Sequence, residues 1–322
     1  MKKSIACIGQ GFVGGSLTTV FSEKGFEVWT YDISGKVAQG GTSFFLEFGE
    51  GEPSPYKPKS TKQFAECCER QENFSNIYFV CLPTPMFEDG QCDTSIVEKT
   101  LDELSSVEGS RIAVVKSTVP PGTTEGWNKK YERTGLRVVF CPEFLREVSA
   151  LDDMRNQDRI ILGGPKTTAN KVRDLFRNAF PDVKVFKTSS SNAEMVKYVV
   201  NTFLATKVSF ANEISQICEK LSEQNQDIDY DRVIELASLD KRLGTSHWKV
   251  PGPMQANDGS GKLLHGYSGS CFVKDVNAIL YVSKLIGVDA KVLRGGWEKN
   301  LEVRPEKDWE NLVGRAVSKK ES

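Results

Sequence analysis

The stretch Ser4-Ile5-Ala6-Cys7-Ile8-Gly9-Gln10-Gly11-Phe12-Val13-Gly14 decides the fold. Ser4–Ile8 is short and apolar, as a buried strand is, and Gly15–Lys24 beyond the glycines has the apolar spacing of a helix. Between them lies a G-x-G-x-x-G. Gly9 permits the tight turn, Gly11 lets a pyrophosphate approach the backbone, and Gly14 lets the helix pack on the strand. The helix amino terminus, around Phe12 and Val13, then offers N–H donors and a positive dipole end to an anion. The pattern by itself also suits a glycine turn in another kind of α/β domain. Asp32 narrows the choice. It ends a second strand, Glu27–Asp32, about 20 residues further on, where its carboxylate can accept both ribose hydroxyls and repel the extra phosphate of NADP. The expected cofactor is NAD, with the nearby Lys36 weakening that repulsion slightly.

Outward from this turn, short apolar runs alternate with amphipathic stretches. Ile77–Leu82, Arg111–Lys116, Val138–Cys141, Arg159–Leu162 and Lys184–Phe186 read as further strands of a parallel sheet with helices on both faces. Gly40–Pro58, rich in Gly, Pro, Ser and Phe, reads as an irregular connection. The character changes after Thr188-Ser189-Ser190. From Ser191 to about Leu221 there is no Gly or Pro, which predicts one helix opened by a capping box of Ser191 and Glu194. About thirty residues at 1.5 Å each make a rod of roughly 45 Å, a length suited to joining domains or lining a dimer interface. Tyr230–Ala237 and Val276–Leu285 predict further helices. The fold class is therefore α/β: a doubly wound sheet over 1–190, a long helix with a mainly helical domain over 191–290, and a charged tail over 291–322 whose Trp297 and Trp309 should pack.

Lys plus Arg number 42 against 43 Asp plus Glu, so no global field favours nucleic acid or an anionic membrane. No apolar run reaches the ~20 residues that cross a bilayer, and nothing near Met1 reads as a signal peptide. The cysteines are scattered, and the one close pair, Cys67-Cys68, fits neither a zinc site nor a disulfide framework. Reduced thiols, a cytoplasmic location and no metal are expected.

Five clusters carry chemistry-bearing residues. In Gly266-Tyr-Ser-Gly-Ser-Cys-Phe-Val-Lys-Asp275, Ser270 is a good N-cap, so Cys271 would open a helix whose positive end, with Lys274, favours a thiolate. Asp275 would share its helical face, and Gly266 and Gly269 leave room for a ligand. The alternative is a half-buried packing cysteine beside a surface Lys-Asp pair. Lys197 and Asn201 stand four apart among Val196, Val199, Val200, Phe203 and Leu204; a solvated polar stripe is the plain reading, but the apolar neighbours make the lysine unusual. Cys141-Pro-Glu-Phe-Leu-Arg-Glu147, with Glu143 and Glu147 again four apart, lies at a strand end, the edge where α/β sheets bind ligands. Thr118 in Lys116–Thr124 and Thr84 in Cys81–Pro85 hold similar positions. For these last three, ordinary loop chemistry after a strand is the competing account.

Taken in order, GQGFVG, VCLPTP, KSTVPPGTT, CPEFLRE followed by ALDDMRNQDRIILGG, AEMVKYVVNTFLATKVSFANE and GSCFVKD resemble the UDP-glucose 6-dehydrogenase family of nucleotide-sugar dehydrogenases, from residue 4 to about residue 285. The resemblance implies a Rossmann-type domain joined by the long connecting helix to a helical dimerisation domain. It also implies that Cys271 is a nucleophile, that Lys197 and Asn201 stabilise an oxyanion, and that Asp275 with Thr118 activates water. It puts Glu143 between substrate and water, and Glu147 near the nicotinamide. Thr84, Thr118, Glu147 and Lys274 join Gly9, Gly11, Phe12, Val13, Gly14, Asp32 and Lys36 on the cofactor side. On the substrate side it implies Glu143, Phe144, Leu145, Glu147, Lys197 and Asn201, with Arg242 of Lys-Arg-Leu-Gly244 reaching across a homodimer formed through helix 191–221. Tyr267 to Gly269 resemble a loop closing over the nucleotide.

The implied reaction oxidises UDP-glucose to UDP-glucuronate with two NAD, through a thiohemiacetal and a thioester on Cys271. Three departures stand out. The family's usual third domain, which holds the uridine diphosphate, has no counterpart before Ser322, so the tail with Arg294, Arg304 and Arg315 or a partner chain would hold the diphosphate, or binding would be weak. Val273 and Ser268 replace a common proline and a common glycine, and Pro251–Leu264 looks longer than the corresponding loop. Other readings stay open: a dehydrogenase of another nucleotide sugar such as a UDP-N-acetylhexosamine, a non-catalytic NAD-binding subunit, or a two-electron hydroxyacid-type dehydrogenase that needs no thiol.

Overall fold

A computed structural model describes residues 3–44, 58–254 and 261–319. The chain divides into two compact units, one made of residues up to Thr84 and Thr94–Lys197, the other of Pro85–Asp93 and everything from Tyr198 onward. Among the described residues the strands are β1 (Ser4–Ile8), β2 (Glu27–Tyr31), β3 (Gly41–Thr42), β4 (Phe74–Val80), β5 (Arg111–Val115), β6 (Leu136–Phe140), β7 (Arg159–Gly163) and β8 (Lys184–Thr188). Six helices fall between them: α1 (Phe12–Glu23), α2 (Thr61–Glu69), α3 (Ser95–Ser105), α4 (Thr123–Lys130), α5 (Ala150–Arg155) and α6 (Lys166–Ala179). Then come α7 (Ser190–Glu223), α8 (Tyr230–Ala237), α9 (Phe272–Leu285) and α10 (Lys291–Val303). The expected connection over Gly40–Pro58 lies mostly outside the described residues, as does the middle of Pro251–Leu264.

In the first unit the strands form one sheet in the order β3-β2-β1-β4-β5-β6-β7-β8. Every pairing is parallel except β6 with β7, which meet antiparallel only at Phe140 and Gly163. That exception departs from the all-parallel expectation. A parallel neighbour needs a crossover helix to return the chain, and the link after β6 holds only the six-residue α5 and a short 3-10 turn. Strand periodicity divides the core into two faces. Ile5, Cys7, Phe79, Val114 and Val139 pack with α1 and α6, whereas Ala6, Ile8, Tyr78, Val80, Val115 and Phe140 pack with α2 and α3. Both faces of each central strand are therefore apolar, which is why β1 and β5 read as unbroken buried runs.

The second unit is helical and includes α10, a full helix where the sequence suggested a tail. Trp297 and Trp309 pack 5.4 Å apart between ring centroids, as expected, in a core with Tyr267, Val273 and Val276.

Helix α7 begins differently from the capping-box expectation. The hydroxyl of Ser189 accepts from Asn192 N–H at 3.3 Å, so the cap lies two residues before Ser191. Glu194 does not reach back to its own helix. It is fully buried, and its two carboxyl oxygens accept from Gly122 N–H (2.6 Å) and Thr124 N–H (2.8 Å), the unpaired donors that open α4. Replacing Glu194 by Ala leaves both buried N–H groups unsatisfied, and we expect about 2–3 kcal/mol of lost stability in denaturant titration; a loss within experimental error would refute the cap.

Candidate active site

The glycine turn has the geometry that a dinucleotide needs. Gly9 adopts φ +89°, and a Cβ there would stand 2.3 Å from the Cys81 carbonyl oxygen. A Cβ on Gly14 would stand 1.9 Å from the Gly9 carbonyl oxygen, whereas one on Gly11 would meet nothing within 4 Å. The turn is thus closed toward the protein at Gly9 and Gly14 and open at Gly11, where Phe12 and Val13 begin α1. Asp32, just past β2, accepts from Gln10 N–H at 2.7 Å and from Ser34 N–H at 2.8 Å. Burial opposes its charge, but the Ser34 hydroxyl, the Gln10 and Ser34 N–H groups and Lys36 together hold its carboxyl below the ordinary value. A carboxylate offers about four acceptor sites, so with the Gln10 N–H, the Ser34 N–H and the Ser34 hydroxyl in place one remains for a ribose hydroxyl. The residues present fit NAD.

At the carboxyl edge of the sheet, three consecutive residues after β5 tie down the neighbouring strand ends. The Lys116 ammonium donates to the carbonyls of Cys141 (3.1 Å) and Pro142 (3.4 Å). Ser117 Oγ accepts from Leu82 N–H at 3.0 Å, and the Thr118 carbonyl accepts from Thr84 Oγ1 at 2.7 Å. Thr84 and Thr118 are therefore brought together, both buried. Sequence reasoning passed over Lys116, although a lysine directly after the apolar run Ile112–Val115 was the signal available.

The same edge carries Glu143. The Lys197 ammonium donates to its Oε1 (2.9 Å) and its carbonyl (2.6 Å), and Leu145 N–H donates to its Oε2 at 2.7 Å. Burial pushes the Glu143 carboxyl up, but Lys197 at contact, the Leu145 N–H and the more distant Lys116 outweigh it and hold the group below the usual carboxylate range. The Phe144 ring lies under the Arg159 guanidinium at 4.5 Å and the Lys197 ammonium at 5.6 Å. The i, i+4 kinship proposed for Glu143 and Glu147 fails, because Cys141–Arg146 is not helical; Glu147 is exposed in a 3-10 turn while Glu143 is buried.

In the second unit Cys271 is itself the boundary residue of α9, in place of Ser270, and the helix starts four residues before Val276. Its carbonyl accepts from Asp275 N–H at 3.1 Å, which confirms the shared face. Asp275 is 1% exposed; its Oδ2 accepts from Asn201 Nδ2 and its Oδ1 from the Lys274 ammonium, each at 2.6 Å. Burial opposes the charge on Lys274, yet Asp275 foremost, then Cys92 and Cys271, raise its ammonium above the ordinary lysine value. Lys274, expected at the cofactor, thus directs its charge to Asp275.

Tyr267 was expected at the substrate, but its ring is 5% exposed and packs on Phe272 and Trp297. Gly269 adopts φ +76° with open space around it. Arg304, considered for the diphosphate, is fully buried, in a bidentate pair with Asp308. Arg242 is exposed and paired with Asp240, on a turn whose Leu243 carbonyl accepts from the Lys207 ammonium at 2.9 Å. Among the described residues, no helix is long and apolar enough to cross a membrane.

Residues 3–180 match the NAD binding domain of the UDP-glucose/GDP-mannose dehydrogenase family, and residues 191–302 match its central domain. The chain belongs to that family, and its first unit is an NAD-binding domain. It is 31% identical over 314 residues to UDP-glucose 6-dehydrogenase TuaD of Bacillus subtilis, covering 94% of this chain and 64% of that protein. Against the UDP-glucose 6-dehydrogenase of Pseudomonas aeruginosa the identity is 34% over 237 residues, 70% of this chain and 48% of the other. The chain thus spans about two thirds of the first relative and about half of the second. A UDP-glucose dehydrogenase structure from the hyperthermophilic archaeon Pyrobaculum islandicum superposes with a TM-score of 0.74 at 28% identity, over 95% of this chain and 69% of that one. The fold is not confined to sugar oxidation: a Mycobacterium tuberculosis 3-hydroxyisobutyrate dehydrogenase shares it at 16% identity, TM-score 0.67 and 95% coverage of each chain.

The depressed Glu143 carboxyl fixes a pH signature. Its pairing with Lys197 stabilises the fold fully above the ordinary value of 4.5 and is lost as pH falls through the lower folded value. Glu143→Gln should cost about 3 kcal/mol at pH 7, since it strands a buried ammonium. Denaturant midpoints measured against pH should then show the variant losing less stability below pH 4.5 than the parent; equal losses would contradict the pairing.

Proposed function

We propose that the protein oxidises the primary alcohol of a nucleotide sugar to a carboxylate in two successive two-electron steps, with UDP-glucose as substrate and Cys271 as covalent anchor. The observation that carries this reading is the polar arrangement at α9: a half-buried thiol at the helix boundary, and one turn on a carboxylate held between Asn201 and Lys274. A single alcohol oxidation has no need of that thiol. The names of the relatives quoted above support UDP-glucose as the sugar nucleotide.

When bound, NAD supplies the hydride acceptor for both oxidations. After the first, Cys271 Sγ bonds to the aldehyde carbon and the carbonyl oxygen takes a proton, giving a thiohemiacetal. Loss of hydride and proton from that carbinol gives a thioester; water then adds, the C–S bond breaks, and acid and thiol are released. An ammonium has three N–H donors and an amide nitrogen two. Lys197 directs two of its three to Glu143, and Asn201 directs one of its two to Asp275, so each retains one donor that we assign to the developing oxyanion. Asp275 is the assigned proton acceptor.

We also infer a homodimer built on α7. Val199, Phe203, Phe210, Ile217 and Leu221 are exposed at helical spacing along one stripe; Leu236 of α8 and Leu239 in the turn after it are also exposed. Buried against a second copy, each such side chain contributes about 1.5–3 kcal/mol. Phe203→Glu should convert the dimer to monomer in light scattering; a wild-type chain monomeric at micromolar concentration would dismiss the inference.

The decisive measurement for the chemistry is NADH formed per UDP-glucose consumed. Two is expected, one would indicate simple alcohol oxidation, and none a binding role. Cys271→Ser should lower acid formation by on the order of 10³-fold or more, and normal acid release by that variant would eliminate the covalent step.

A further inference from the structure

We infer that Asn300 of α10, Arg304 at the carboxyl cap of that helix, and Asn212 of α7 are positioning residues that fix the loop leading into Cys271. The inference rests on the thiol chemistry proposed above. The segment His265–Tyr267 lies outside any helix or strand, so its backbone polar groups need partners from elsewhere. Three buried polar side chains provide them. Asn300 is fully buried; its Oδ1 accepts from Tyr267 N–H at 2.7 Å and its Nδ2 donates to the Tyr267 carbonyl at 3.1 Å. Arg304 donates to the His265 carbonyl at 3.0 Å while Asp308 holds its other nitrogens at 2.8 Å. Asn212 Oδ1 accepts from Gly266 N–H at 3.3 Å and lies 3.1 Å from His265 Nδ1.

Gly266 makes the fit possible. It adopts φ +66°, and a Cβ would stand 2.5 Å from Asn300 Oδ1. The Asn300 amide therefore grips the Tyr267 peptide from both sides against a residue that must lack a side chain. Below this grip, the Tyr267 ring is locked between Phe272 and Trp297. Only Ser268, Gly269 and Ser270 separate the anchored peptide from Cys271, and among them Gly269 has open space around it. An anchor four residues upstream of the thiol, with the left-handed Gly269 between them, sets where that sulfur stands. Misplacing a reacting atom by about 1 Å costs on the order of 10²-fold in rate, so the anchor acts on turnover through Cys271 without touching substrate.

The test compares Asn300→Ala and Asn300→Asp with the parent. Asp conserves volume and acceptance from Tyr267 N–H but loses donation to its carbonyl. Three measurements are made: hydrogen exchange of the peptide spanning 264–272, the pH profile of Cys271 alkylation by iodoacetamide read by mass spectrometry, and steady-state kinetics. For Asn300→Ala, exchange in that peptide should quicken about tenfold or more while peptides of β1 and β5 are unchanged. The alkylation profile should shift along the pH axis, and kcat should fall about 10–100-fold with KM for NAD unchanged. Asn300→Asp should lie between the two, and it carries the same readouts if the alanine variant fails to fold. Unchanged exchange, or faster exchange with an unmoved alkylation profile, overturns the anchor. Failure of the thiol reading is seen separately, as sustained acid formation by Cys271→Ser, and leaves the exchange and alkylation results interpretable.

Discussion

A polar side chain sealed from water must find a partner, and helix α7 carries a series of them. Glu194, Lys197, Asn201, Lys207 and Asn212 are all buried on one helix that is otherwise rich in apolar residues. Each is satisfied by a different structural piece: Glu194 by the opening N–H groups of α4, Lys197 by Glu143, Asn201 by Asp275, Lys207 by the turn at Leu243, and Asn212 by Gly266. The residues assigned to chemistry, Lys197 and Asn201, belong to that series and lie one turn apart.

The parts of this architecture that follow from repetition were legible in the sequence. Strands β1, β5 and β7 and helix α8 come at or within a residue of their expected bounds, because buried runs and amphipathic spacing express the local geometry directly. The glycine turn was legible for the same reason, since the chemistry of each glycine is local. What the sequence hid was partner choice. Glu194 stood three residues after a serine, the spacing of a capping box, but its donors lie some seventy residues upstream. Glu143 and Glu147 stood four apart, yet the proline at Pro142 and the strand end before it keep the chain out of a helix. Tyr267, beside a presumed nucleotide, proved to be core, and Arg304, a free charge on paper, proved to be neutralised by Asp308 one turn ahead. Long-range satisfaction of buried polar groups leaves no periodic trace.

The comparison with a 3-hydroxyisobutyrate dehydrogenase bears on what the fold can be asked to explain. A nucleotide-binding sheet joined to helices serves more than one reaction, so the architecture by itself selects neither substrate nor electron count. The chemistry proposed to distinguish this chain is assigned to the start of α9. There the polar groups are coupled: Lys274 offsets the Asp275 charge, Asn201 orients it, and the Asp275 amide closes the first turn on the Cys271 carbonyl. Asp275 is thereby committed to one rotamer and one face before any ligand arrives.

The stitching of Lys116, Ser117 and Thr118 to the strand ends on either side limits how this lineage can vary in length. Side chains alternate along a strand, so inserting or deleting a single residue between Arg111 and Lys116 would turn the lysine to the opposite face and break its ties to Cys141 and Pro142. The eight-residue span Arg111–Thr118 works as a ruler for the carboxyl rim of the sheet.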